Sequence, residues 1–122
     1  MGGVIDVEPS PRRGEIWDAD LDPAVGHEQG KVRPVLIVSH DRFNAARNRL
    51  CIVVALTRAN RGLPNHVPVP PSEGGLSAPS VIQCEQIRII SYDRLQRRRG
   101  AVSRSTLRAV ASRLQLLLDL SA

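Results

Sequence analysis

Between residues 14 and 91 no apolar run of this chain outlasts a single strand, and loops rich in glycine, proline or polar residues separate the runs. Only after Ser103 does hydrophobicity recur at helical spacing, with Leu107, Val110, Leu114, Leu117 and Leu118 on one face. Several short extended segments followed by one helix suit a small, strongly curved sheet or barrel closed by that helix.

The segments can be placed in turn. GEIWDADLD (14–22) alternates apolar and polar residues and reads as a first strand ending at the Asp22-Pro23 turn. VRPVLIVS (32–39) is a second strand, in which Pro34 is tolerable only near a strand start or on an edge. HDRFNAARNR (40–49) is polar, with room for a short helical turn. LCIVVALT (50–57) is continuously apolar, as a strand buried on both faces would be. HVPVP (66–70) reads as a short edge strand, PSEGGLSAPS (71–80) as a loop, and SVIQCEQIRIIS (80–91) as a further strand that bends or gives way to another. Ser103 or Ser105 can cap the final helix.

A chain of 122 residues holds one modest core, with no linker to divide it and no apolar run near the roughly 20 residues that span a bilayer. The first fifteen residues lack the apolar stretch of a signal peptide, so a cytoplasmic protein is expected. Cys51 and Cys84 lie in apolar or strand-like segments and read as buried free thiols. His27, His40 and His66 are scattered without zinc-type spacing, so neither a metal nor another cofactor is expected. The net charge is +5, and sixteen of the seventeen basic residues are arginine. A guanidinium grips phosphate through a planar fork, which suits a polyanionic partner.

The blocks RRGEIWDADLDPAVGHEQGKVRPVLIVSHD, VVALT, LPNHVPV and GLSAPSVIQCEQIRII, in this order over residues 12 to 120, strongly resemble the MazF/PemK family of toxin endoribonucleases. The resemblance implies an SH3-like small barrel, mainly β with a C-terminal helix, acting as a homodimer. It implies a single toxin domain over 12–122, preceded by a flexible segment at 1–11. It also implies metal-free cleavage of single-stranded RNA to 2′,3′-cyclic phosphate and 5′-hydroxyl ends, held in check by an acidic, partly disordered MazE-like antitoxin. The family's catalytic arginine falls on Arg33, its catalytic threonine on Thr57, and its loop carboxylate on Glu28.

The chemistry asks for such residues. RNA carries its own nucleophile, the ribose 2′-hydroxyl, so the protein must hold the phosphate in line, neutralise charge on its oxygens and move two protons. Arg33, fixed before Pro34 where a strand begins, offers a preorganised fork. Thr57, ending a strand, can present its hydroxyl beside it. Arginine is a poor base, so His27 or Glu28 can take a proton instead, and that choice stays open. Lys31, Arg58, Gln86 and Arg88 are candidates for RNA binding.

Plainer readings exist for each. Arg33 can pair with Glu28 or Glu15. Gln86 and Arg88, on one side of a strand, can brace a dimer instead of lining a groove. His66 in its proline-flanked strand reads as structural, and His40 as a surface residue. RLQRRRG (94–100) reads as a solvated charge run. With only Trp17, Phe43 and Tyr92 as aromatics, target readout would rest on hydrogen bonds and loop shape. The rival functions are a non-catalytic RNA- or protein-binding barrel and, more distantly, a gyrase inhibitor like CcdB, whose Trp-Gly-Ile tail this chain lacks.

Overall fold

The computed structural model describes residues 10–120. The expected flexible lead-in at 1–11 therefore falls outside the described residues except for Ser10 and Pro11. Six strands, β1 (Glu15–Asp20), β2 (Val32–Ile37), β3 (Leu50–Thr57), β4 (His66–Pro68), β5 (Val81–Ser91) and β6 (Leu95–Ala101), form one antiparallel sheet in the order β4-β5-β3-β2-β1-β6. A one-turn helix α1 (Asp41–Asn44) follows β2, a 3-10 turn (Tyr92–Arg94) joins β5 to β6, and helix α2 (Arg104–Leu117) ends the fold. The sheet is rolled on itself. The loop leaving one edge strand, β4, touches the other, β6, where Gly74 N donates to Ala101 O at 3.0 Å. This is the small, mainly β barrel with a C-terminal helix that the sequence led one to expect.

The apolar residues explain the roll. Ile16, Leu36, Val54, Leu56 and Ile82 form one buried cluster, against which Val110 and Leu107 of α2 pack. Ala19, Val35, Ile37, Cys51, Val53 and Ala55 form a second cluster on the other face, covered by Leu21, Tyr92 and Leu95. Strand β3 sits in the middle of the sheet and feeds both clusters, which is why its sequence is unbroken apolar rather than alternating. The bend expected in the fifth strand is real. Ile82 faces Leu56 and Ile87 faces Val54, so four residues of β5 stand opposite Ala55 alone. Both thiols are free and buried, and burial pushes Cys51 up to about 12 and Cys84 to about 11. Neither is a nucleophile at neutral pH.

Three expectations need correcting. RLQRRRG is not a free charge run: after Arg94, which ends the 3-10 turn, it is β6, paired along β1, with Leu95 against the second cluster. Its arginines find carboxylates across the strand pair, Arg98 Nε lying 2.7 Å from Glu15 Oε2 and Arg99 Nη1 3.2 Å from Asp18 Oδ2. The fourth strand ends at Pro68 rather than at 70, where prolines remove ladder donors. Leu117 and Leu118 are exposed rather than core, because α2 stops at Leu117 and Leu118 is its C-cap. No helix among the described residues is long and apolar enough to cross a membrane.

The cap of α2 ties the helix to the loop at 71–80. Ser103 accepts from Thr106 N at 3.2 Å, and the Glu73 carboxylate accepts from Ser103 N and Thr106 Oγ1, both at 2.8 Å. The Ser103 backbone N–H, above all, holds Glu73 below its ordinary 4.5. A carboxyl depressed on folding stabilises the native state above its unfolded pKa and loses that contribution as pH falls through the folded value. Glu73→Gln is therefore expected to lower the melting temperature at pH 7, with the gap to wild type closing as pH drops below about 4.5. Paired melts across pH 3 to 7 check this; a gap unchanged at low pH would contradict it.

Candidate active site

Arg33 enters β2 opposite Ala19 of β1, and the next residue, Pro34, lies opposite Asp18. Its Nε donates to Gly30 O at 3.0 Å, fixing one edge of the guanidinium against its own loop. Its Nη nitrogens have no hydrogen-bond or ion-pair partner among the described residues. The simple alternative of a structural pair does not hold. Glu15 is engaged by Arg98, Trp17 Nε1 and Arg12 N, while Glu28 accepts from Val25 N at 2.7 Å within its own loop.

Thr57 closes β3, pairing with Val81 of β5. Its Oγ1 accepts from Ala59 N at 3.2 Å, leaving the hydroxyl hydrogen to donate outward. Arg33, Thr57 and Arg58 line one open groove of about 560 Å³, a volume in the ordinary range for a ligand site. The far wall comes from the loop between β4 and β5, with Leu76, Ser77 and Ser80 facing the groove. Asp18 and Arg99 complete it, and Asp18 is the single carboxylate in its lining among the described residues.

The other candidates lie elsewhere. His27, Glu28, Gln86 and Arg88 share a separate hollow of about 290 Å³. Gln86 accepts from Gln29 N at 3.1 Å and donates to His27 O at 3.2 Å, and Arg88 Nη1 donates to Leu21 O at 3.0 Å. These two residues brace the loop between β1 and β2, a part that neither of their two sequence readings named. Lys31 lines neither hollow: it sits exposed at a φ of 62°, with its N–H donating to Asp22 Oδ1 at 2.7 Å. His40 is exposed and its Nδ1 caps α1, accepting from Arg42 N at 3.0 Å. His66 is structural, its side chain 4% exposed and 3.0 Å from Glu85.

Sequence reasoning missed Asp18, Arg99 and the two serines. Asp18 shares the parity of Ile16 on β1 and so points to the same face, but its partner strand was read as a charge run. With β6 unrecognised, nothing placed Arg99 beside it. The serines sit in a loop whose path no periodicity gives.

An arrangement of two strand-end residues, one a fixed guanidinium and the other a hydroxyl donor, in a groove carrying two further arginines has the chemistry to grip a phosphate diester. The comparisons agree in kind. Residues 12–118 match the family described as PemK-like, MazF-like toxin of type II toxin-antitoxin system. Endoribonuclease MazF9 of Mycobacterium tuberculosis is 40% identical over 114 residues, spanning 89% of this chain and 97% of that protein. The crystal structure of MazF from Deinococcus radiodurans aligns with a TM-score of 0.81 at 25% identity, over 90% of this chain and 97% of that one. A mycobacterial endoribonuclease in complex with its cognate antitoxin aligns at 0.76 and 26% identity, over 92% and 98%.

Proposed function

Because the chain belongs to the family of PemK-like, MazF-like toxins of type II toxin–antitoxin systems, we propose that it is the toxin of such a pair, an endoribonuclease that cuts single-stranded RNA in the groove of Arg33 and Thr57. The observation that carries this is their convergence: two residues 24 positions apart, each ending or beginning a strand, meet in one groove with their free donors available.

The reaction follows from what these groups can do. The 2′-hydroxyl attacks the adjacent phosphorus, the 5′-oxygen of the next nucleotide leaves, and the products are a 2′,3′-cyclic phosphate and a 5′-hydroxyl. Arg33 presents its Nη groups to the non-bridging oxygens as negative charge grows on them, and Thr57 donates to the same phosphate. Neither residue supplies the nucleophile and no metal is called for. Arg58, exposed at the groove mouth, and Lys31 extend the positive path for the RNA strand. Gln86 and Arg88 contribute by fixing the loop that carries His27 and Glu28. His27 and Glu28 are the titratable groups of that neighbouring loop, and proton transfer is assigned to one of them.

The protein acts as a homodimer in the cytoplasm. An apolar hollow of about 410 Å³ along α2, with the exposed Leu118 and Leu120 in its lining, is a surface that a second copy would bury. The antitoxin is an acidic, partly disordered chain that covers the arginine groove by charge and by blocking. The test is incubation of purified protein with a long single-stranded RNA in EDTA, mapping cut positions. Discrete cuts that survive EDTA and disappear when an acidic antitoxin encoded beside the toxin is added are expected; intact RNA across varied sequences would overturn the reading.

A further inference from the structure

Strands β1 and β6 do not run in simple register. Ile16 faces Gly100 and Trp17 faces Arg98, which leaves Arg99 as the extra residue of a bulge with no partner on β1. A bulge re-aims the side chain it carries, and such bulges recur beside active sites. Here Arg99 lines the groove of Arg33 and Thr57. It is only 17% exposed, and its Nη1 lies 3.4 and 3.2 Å from the two oxygens of Asp18. Asp18 stands opposite Pro34, so the carboxylate that holds Arg99 is one residue across the ladder from Arg33.

The backbone of the bulge is held as firmly. A Cβ at Gly75 would come within 2.0 Å of Arg99 O, and a Cβ at Gly100 within 2.7 Å of Gly74. The glycine turn thus lies directly on the bulge. The guanidinium is held by a carboxylate and its main chain by a turn. Arg98 has a carboxylate partner too, but Arg99 combines one with a largely buried side chain in the groove.

We propose that Arg99 is a second phosphate-binding residue of the groove, taking the phosphate of a nucleotide flanking the scissile bond, and that Asp18 is its positioning residue. This rests on the RNA-cleaving reading above. What separates Arg99 from Arg97 and Arg98 on the same strand is its place: those two are exposed and outside the groove lining, Arg98 held by Glu15 at 2.7 Å and Arg97 lying 3.8 Å from the Asp18 oxygen that Arg99 also approaches.

The test uses a short RNA spanning a mapped cut, together with the same strand carrying a 2′-deoxy nucleotide at that cut as an uncleavable binding probe. Arg99→Ala is expected to weaken probe binding about 10-fold. It should also make the dependence of log Kd on log salt shallower by about 0.7, the signature of one lost phosphate contact on a single strand. Arg99→Lys keeps the charge and loses the fork, so its salt slope stays at the wild-type value while kcat/KM falls several-fold; it carries the test if the alanine variant melts early. Asp18→Asn is the sharpest arm. Removing a negative charge from an anion-binding groove should tighten binding by simple electrostatics, whereas loss of Arg99's anchor lowers kcat/KM several-fold. If Arg99→Ala leaves slope and kcat/KM unchanged while Arg33→Ala loses cleavage, Arg99 is wrongly assigned and the RNA reading stands. If wild-type protein neither binds nor cuts RNA, both fail together.

Discussion

Arg33→Ala is expected to reduce kcat/KM for RNA cleavage by about 10³-fold or more. The size follows from what the side chain does at the moment of reaction. On the proposed reading the guanidinium, already oriented by Gly30 O, stabilises charge on the phosphate without reorganising. Removing it strips the site of a fixed charge whose Nη groups are unengaged among the described residues. Stability should change little, by about 1 kcal/mol, since a single hydrogen bond to a backbone carbonyl is lost. Arg33→Lys restores the charge as a point rather than a fork, so it should recover part of the rate and not all of it. Single-turnover kinetics with saturating protein separate this from weaker binding. Wild-type rates in Arg33→Ala, with the protein folded, would remove Arg33 from the chemistry.

The second large effect is structural. Gly75→Val is expected to destabilise the fold by about 3 kcal/mol or more, lowering the melting temperature by roughly 10 °C. Gly75 has a φ of +62°, and any Cβ there would meet the carbonyl of Arg99 at 2.0 Å, a rigid backbone atom that cannot swing away. The turn would have to lift from β6, breaking the Gly74 to Ala101 bond that closes the sheet's two edges. Leu76 and Ser77, the next residues, form the far wall of the groove, so cleavage should fall along with stability. Gly62 is the control: its φ of +64° is similar, but a Cβ there meets nothing within 4 Å, so Gly62→Val should cost only the backbone strain, about 1 kcal/mol. Equal melting temperatures for the two variants would show that the contact with β6 is not what makes Gly75 matter.

The parts of this architecture legible in the sequence are those governed by local pattern. β3 announced itself as an unbroken apolar run because it serves two clusters, and α2 by its period and its Ser103 cap. Arg33 and Thr57 were singled out by the family resemblance, their strand-end positions being only compatible with it, and the structure brings both into one groove. What stayed hidden depends on long-range pairing. β6 reads as Leu-Gln followed by arginines because its place in the sheet is fixed by backbone bonds to β1 and by the carboxylates of Glu15 and Asp18, more than 80 residues earlier. Gln86 and Arg88 were placed on the right strand, but the bulge opposite Ala55 turns them toward the loop at 21–29. No periodicity encodes that turn.

The central claim is that the groove binds and activates a phosphate while the RNA supplies the nucleophile. The measurement that tests it most directly compares two strands of identical sequence spanning a mapped cut, one all-ribose and one with a single 2′-deoxy nucleotide on the 5′ side of the scissile bond. The account expects the ribose strand to yield a 5′-hydroxyl fragment and the deoxy strand to bind with similar affinity yet remain intact. Cleavage of the deoxy strand at the same bond would contradict it, because the attacking oxygen would then have to come from the protein or from water.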